Sequence, residues 1–457
     1  MQDIKEKCNM FVEDIILAVL GADNVDELCR RYQVSGIMTN EVATPDIAKM
    51  YPSLKIYDYS EVVNIGKAGK MIVAADTFWE DGIRDFFWKL LDSYGLKLGS
   101  NFLFASMLDS VADTNAMFEM VDRDSSRFAD LLKSVAGNRK FVVVHGNCQT
   151  HAVIRMLAGN RQFCEKYFTC IMPKMWENEK EKMEMMIESG VFGFADCLVT
   201  QVVSEDNKFG NIFSTEFLKS LIPNECKVIT ISNLFFMGYF PQYRKMKNNP
   251  GVNFLRDKIW DGTQYFDKNI IAMIADDKSD EEIIAVVTDN NYYPKEKLVE
   301  NIRNEIEEFA ASEKDKKIDI KMADYLDANF NRLLLFVTSN HPTREVLMVL
   351  SRRILKELGI ERTEIDCPED EIQAPMPREW RYLIYPSVLK QLGLEKNWDY
   401  FYRAICSKEE IVLFDGIEAA VVTPLENSNL YFVKVKCDFE TFIRIYIRAS
   451  RAALMQL

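Results

Sequence analysis

Short apolar runs alternate along this chain with longer stretches in which apolar residues return every three or four positions. The runs read as buried strands and the stretches as amphipathic helices. Residues 1 to about 31 carry apolar positions at helical spacing and predict a helix. "VSGIMT" (34–39), "MIVAA" (71–75) and "FLFA" (102–105) predict strands. Asp76 or Thr77 caps the helix after the second, and Gly95 ends it. "VDRDSSRFADLLKSVAGNRK" (121–140) is a polar helix and turn, and reads as a linker. Beyond it the alternation becomes regular. Strands at 141–145, 167–173, 197–203 and 227–236 are separated by helices at 149–158, 176–189 and 214–222. "GYFPQ" (238–242) breaks the pattern, and helices follow at 279–288, 295–311 and 318–329. The charge run 312–317 reads as a solvated corner. "RLLLFVTSNHP" (332–342) returns to a strand, before a helix over 343–358 that ends at Gly359. "CPEDEIQAPMP" (367–377) reads as a loop. The tail adds strands in "EEIVLF" (409–414) and "NLYFVKV" (429–435) and a helix over 439–455.

Strands alternating with helices specify an α/β fold with a doubly wound, mostly parallel sheet. Three regions follow. Residues 1–136 form a small Rossmann-like α/β domain, 137–399 the main α/β domain with a helical insertion, and 400–457 an extension packed on the main domain. The first region lacks G-x-G-x-x-G, so it reads as a docking or dimerisation unit, and a homo-oligomer is the expectation.

Composition narrows the function. A chain of 457 residues suits more than one core. The net charge of −14 speaks against a general nucleic-acid or anionic-membrane partner. No apolar run is long enough to span a bilayer and no signal-cleavage pattern is present, so the expected location is the cytoplasm. Ten cysteines without a C-x-x-C pair, and three histidines, fit neither a zinc site nor a secreted disulfide framework; no metal is expected.

The candidate chemistry lies in "FVVVHGNCQTHAVIRML" (141–157), a strand, a turn and a helix. Cys148 stands at the carboxyl edge of the expected sheet, where ligands collect in α/β folds. It also begins a helix, whose unpaired N–H groups favour a thiolate and can hold an oxyanion. Gly146 permits the tight turn, and Asn147 and Gln149 add amide groups. Cys148 also reads as a small buried residue filling a corner, as free cysteines commonly are. His145 and His151 flank it, and His151 in the first helical turn is badly placed to become a cation. His341 follows the strand at 332–337, so a parallel sheet brings it to the same edge as Cys148, where a Cys–His pair activates a thiol. Otherwise it is a capping residue. No acid precedes His341 by three positions; Thr338 is found there, and Asn340 or a backbone carbonyl is left to orient the ring. Gln201 and Asn233 end their strands and offer amides, and Tyr239 lies in an aromatic loop, "FFMGYFPQ" (235–242).

In order along the chain, "VVVHGNCQ", "ADCLVTQVVSED" (195–206), "ISNLFFMGYFPQ" (231–242), "TSNHPTREVLMVLSRRIL" (338–355) and "YLIYPSVLKQLGL" (382–394) resemble the polysaccharide-biosynthesis WcbI family. The resemblance covers about 141–395. It implies an SGNH-hydrolase-like three-layer αβα fold with cysteine in place of serine. It also implies binding of coenzyme A or acetyl-CoA and acetylation of a sugar or glycan acceptor for capsule or exopolysaccharide. Cys148 then matches the nucleophile, His341 the late histidine, and Gln201 and Asn233 the oxyanion groups. Arg155, Arg244 and Lys245 are candidates for the phosphates. The late D-x-x-H of hydrolases is Thr338-x-x-His341 here, a departure that leaves the triad without its acid. An esterase or deacetylase using the same centre, and a non-catalytic glycan-assembly adaptor, are the alternatives.

Overall fold

The structure is a computed structural model, which describes residues 15–19, 34–39, 48–61, 71–74, 102–104, 111–112, 125–175, 179–245, 265–365, 382–396, 400–407, 420–424 and 430–454. The chain divides into two compact units, Met1–Ile231 with Ser351–Cys367, and Ser232–Leu350 with Pro368–Leu457.

The first unit holds two five-stranded parallel sheets. One contains β1 (Ile15–Ala18), β2 (Val34–Thr39), β3 (Lys55–Asp58), β4 (Met71–Ala74) and β5 (Phe102–Phe104), in the order β3-β2-β1-β4-β5. The expected helix over 1–31 is corrected here: Ile15–Ala18 is the central strand. Four consecutive apolar residues carry no periodicity, and a strand covered on both faces looks the same in sequence as a piece of buried helix. Ile16, Leu17 and Ala18 have no exposed surface.

The second sheet contains β6 (Val111–Ala112), β7 (Lys140–His145), β8 (Tyr167–Cys170), β9 (Cys197–Gln201) and β10 (Lys227–Ile231), in the order β10-β9-β7-β8-β6. All its pairings are parallel, as expected of an α/β fold. Between its strands run α1 (Ser125–Ala136), α2 (Cys148–Ala158), α3 (Arg161–Lys166), α4 (Lys180–Glu188) and α5 (Thr215–Leu221). α1, read as a linker, is amphipathic instead. Its Phe128 and Leu132 are fully buried in one core with Ile16 and Val73 of the first sheet and Phe141 and Phe168 of the second. The chain leaves β7 for β8 on one side, then crosses to β9 on the other. The carboxyl end of β7 is therefore a topological switch point, where an open crevice forms between diverging loops.

The second unit contains β11 (Tyr243–Lys245) paired with β12 (Tyr265–Asp267), and the helices α6 (Lys268–Ala275), α7 (Asp280–Thr288), α8 (Lys295–Asp315) and α9 (Ala323–Asn329). A hairpin of β13 (Phe336–Thr338) and β14 (His341–Pro342) follows. After it, α10 (Arg344–Glu357) runs on into the first unit's segment. Then come α11 (Pro386–Leu392), the antiparallel strands β15 (Tyr400–Ser407), β16 (Ala420–Pro424) and β17 (Leu430–Cys437), and α12 (Phe439–Leu454). α12 packs on α6 and α7, and Arg451 reaches Asp280 at 2.9 Å.

One further expectation is refined and one is corrected. The run 312–317 is a solvated corner as expected, with α8 ending at Asp315 and Lys314 to Lys317 exposed, except at one residue: Glu313 is 3% exposed because its carboxylate accepts hydrogen bonds from Ser232 Oγ and the Met322 and Ala323 amides. The segment 332–342 is not a strand of the parallel sheet. Residues 332 and 333 end the turn after α9, both amides bonding the Asn329 carbonyl, and β13 pairs antiparallel with β14 across a tight turn. The helix after β4, the strand at 409–414 and the loop at 367–377 lie outside the described residues. Among those residues, no helix is long and apolar enough to cross a membrane.

Candidate functional site

β7 delivers the turn Gly146-Asn147-Cys148-Gln149 to the switch point because "FVVVH" is apolar enough to be buried on both faces. Asn147 caps α2, its Oδ1 accepting the Gln149 amide at 3.0 Å, while its carbonyl accepts the Thr150 hydroxyl at 2.8 Å. The register His145↔Thr200 places Gln201 beside Gly146. The Gln201 carboxamide braces the turn. Its Oε1 accepts the Asn147 amide at 2.8 Å and its Nε2 donates to Gln149 Oε1 at 3.0 Å. A Cβ on Gly146 would lie 2.5 Å from Gln201 Oε1 and 2.7 Å from Thr150 Cγ2, so this position needs glycine.

Cys148 is half-buried. Its thiol pKa is raised to about 11, which corrects the expected lowering. Burial is the largest cause. The backbone N–H groups of Cys148 and Gln149 beside the sulfur oppose it without overcoming it, the Gln149 N–H being held by Asn147 Oδ1. The helix N-terminus is thus directed at the sulfur as expected, but protein atoms have displaced the water that would stabilise a thiolate.

His145 is 1% exposed, and burial lowers its pKa to about 4. The Thr200 hydroxyl gives its hydrogen to the Gln201 carbonyl at 2.7 Å, so His145 Nδ1, 3.2 Å away, donates to Thr200 Oγ1. The neutral ring then keeps Nε2 bare, and that atom is buried with no hydrogen-bond partner among the described residues. His151 is also held neutral, its pKa lowered to about 4 first by burial and then by Lys174. Its ring bonds the Met172 carbonyl.

The structure thus brings His145, Gly146, Asn147, Cys148, Gln149, His151 and Gln201 together in the first unit. His341, Asn340, Tyr239 and Asn233 belong to the second. Asn233 is exposed beyond the end of β10. Tyr239 is fully buried, its hydroxyl between the carbonyls of Phe330 (2.8 Å) and Leu333 (3.0 Å), which pins the aromatic loop. His341 begins β14 and is buried, with its pKa lowered to about 4 by burial. Its Nδ1 meets Thr338 Oγ1 at 2.5 Å. Thr338, noticed in the sequence only as a missing acid, is the ring's partner; the T-x-x-H spacing was the available signal. Ser339, also missed, bonds the Tyr265 and Tyr382 hydroxyls. Among the described residues, no group of three or more histidines, cysteines or acids is placed to hold a metal ion.

Comparison with known proteins follows the same segment. Residues 141–363 match the family of the polysaccharide biosynthesis enzyme WcbI. No curated protein matches the chain. A solved structure is similar at 19% identity and a TM-score of 0.50, over 69% of this chain and 90% of the other. That structure is of WcbI, described as a novel polysaccharide biosynthesis enzyme, the native protein without a disulfide bond between COA and one of its cysteines. At this identity the likeness establishes the fold.

Proposed function

We propose that the chain is a coenzyme A-dependent O-acetyltransferase acting on a sugar or polysaccharide precursor, a reading supported by the similarity of residues 141–363 to the WcbI polysaccharide biosynthesis enzyme family. Cys148 is the nucleophile and His341 the base. The observation that carries this reading is the position of Cys148. It stands half-buried at a topological switch point and at the N-terminus of α2, whose first backbone N–H groups lie beside its sulfur. That cradle fits an acyl carbonyl, because the same donors would receive the charge that develops on its oxygen. Arg155, seven residues on along α2, lies on the same helix face as Cys148 and is the candidate to meet a phosphate.

The acyl donor supplies an acetyl group activated as a thioester. With a pKa near 11 the Cys148 thiol is ionised to only about one part in ten thousand at pH 7. Its proton therefore leaves as the sulfur attacks. His341 takes that proton, the new S–C bond forms, and the backbone N–H at Cys148 holds the oxyanion. The thioester C–S bond then breaks, and the departing thiolate takes the proton back from His341. An acceptor hydroxyl, deprotonated by His341, attacks acetyl-Cys148 and releases the thiol.

The raised thiol pKa also favours a second reading, direct transfer. In it His341 deprotonates the sugar hydroxyl, which attacks the thioester with no acetyl-cysteine formed.

Calorimetric titration of wild type, Cys148→Ala and His341→Ala with coenzyme A and acetyl-CoA is the test, with intact-mass analysis for an acetyl adduct. Micromolar binding that survives Cys148→Ala, with an adduct on wild-type Cys148, is the expected result. Binding and turnover without any adduct select direct transfer. No binding by folded wild type overturns the acetyltransferase.

A further inference from the structure

In the hairpin that carries His341, a hydroxyl meets the ring at Nδ1. Thr338 and His341 are cross-strand partners, both buried, and their side chains meet through Oγ1 and Nδ1. Thr338 Oγ1 also donates to Asn340 Oδ1 at 3.3 Å. A hydroxyl owns one hydrogen. If Asn340 accepts it, Thr338 can meet His341 Nδ1 only as an acceptor, so Nδ1 carries the ring's proton.

The backbone around this turn is tied down on several sides. The Phe236 amide donates to the Ser339 carbonyl at 2.7 Å and the Tyr382 amide to the Val337 carbonyl at 2.9 Å. Ser339 bonds the Tyr265 and Tyr382 hydroxyls. The hairpin is therefore rigid enough to hold a ring by a neutral contact.

We propose that Asn340, Thr338 and His341 form a neutral hydrogen-bond relay, in which Thr338 is the positioning residue that fixes His341 as its Nδ1–H tautomer. Nε2 is then the basic nitrogen. A hydroxyl at Nδ1 differs in one respect from the carboxylate that usually orients a catalytic histidine. A carboxylate stabilises the imidazolium as well as orienting the ring, whereas a hydroxyl only orients it. The base thus stays weak and neutral until the transition state. The relay's catalytic meaning rests on the acetyltransferase reading; the tautomer does not.

With three histidines in the chain, long-range proton–nitrogen NMR of the full-length protein labelled at histidine nitrogen resolves each ring. His341→Gln assigns the His341 signals by their loss. The expected wild-type spectrum at pH 7 shows the Nδ1–H form for His341. Thr338→Val should move it toward Nε2–H and lower acetyl transfer roughly 10- to 100-fold in kcat, with KM little changed. Thr338→Ser should restore both. Thr338→Asp should raise the His341 titration midpoint by about one unit or more and carry the acid limb of the pH profile with it.

An Nε2–H tautomer in wild type overturns the proposal, as does a tautomer that Thr338→Val leaves unchanged. If Thr338→Val does not fold, the wild-type and Thr338→Ser spectra still decide. A relay present in a chain that neither binds nor turns over acetyl-CoA removes the function and leaves the relay standing.

Discussion

At the scale of single residues, the Gly146–Gln149 turn is held by contacts that allow little change. Gly146→Ala drives a methyl group into the Gln201 carboxamide and Thr150, and overpacking of that kind costs about 3 kcal/mol. Because the collision is with the brace of the turn, activity should fall further than stability. Asn147→Ala removes only the cap of α2 and should cost about 1 kcal/mol. Urea denaturation checks both values, and equal losses in the two variants would show that Gln201 gives way freely. His145 bears on the same turn through Thr200, yet burial keeps its ring neutral, so its chemistry is that of a hydrogen-bond donor rather than a cation.

At the scale of elements, the second unit relies on buried acids to join helices. Glu313, in the last turn of α8, accepts the Met322 amide at 2.6 Å and the Ala323 amide, and so supplies the cap that α9 lacks in its own sequence. Glu313→Ala leaves the Met322 and Ala323 amides short of an acceptor, while the Ser232 hydroxyl keeps the Ile320 carbonyl at 3.0 Å, and should destabilise the protein by about 3 kcal/mol. The variant's urea midpoint measures this; a change under about 1 kcal/mol would mean that water reaches those amides. Asp267 does similar work for α6, capping it through Oδ1 (3.0 Å to the Asn269 and Ile270 amides) while Oδ2 accepts the Tyr385 hydroxyl at 2.8 Å. Glu305 accepts the Met237 amide and so fixes the aromatic loop to α8.

At the scale of the molecule, these buried groups respond to pH with opposite signs. A histidine whose folded pKa is lowered binds fewer protons folded than unfolded. Its stabilisation is complete above about pH 6.5 and is lost as pH falls toward 4. His145 and His151 do this in the first unit and His341 in the second, each by up to about 3 kcal/mol for a shift of this size. A carboxyl whose folded pKa is raised binds more protons folded. Its stabilisation is present near pH 4 and lost as pH rises through about 7. Asp267 and Glu305, both raised to about 7 chiefly by burial, do this in the second unit. Calorimetry between pH 7 and 5 should therefore show the first unit's transition falling while the second's holds or rises. Asp267→Asn should flatten the second unit's response. Two transitions that fall together would show that the carboxyls are ionised in the folded state.

Much of the first unit was legible in the sequence because its signals are local. The strands at 34–39, 71–74, 102–104 and 140–145 and the helix that follows the last of them come from short apolar runs and an amphipathic period. The place of Cys148 at a strand end and helix start follows from "VVVHGNCQ" alone. What failed was what depends on neighbours. Ile15–Ala18 became a central strand because both faces found cover, and a fully covered strand has no alternation to read. Glu313 is buried because amides from another segment meet it, which no charge pattern records. α3 and α6 were missed, α3 being too short to show a period. β13 turned back on β14 instead of joining the parallel sheet, because hydrogen bonds from Phe236 and Tyr382 outweigh the preference of an apolar run. The sequence by itself determined the α/β class and the place of Cys148 at a strand end and helix start. Only the tertiary structure decided the thiol's protonation and the partner of His341, because both depend on which atoms displace water from those side chains.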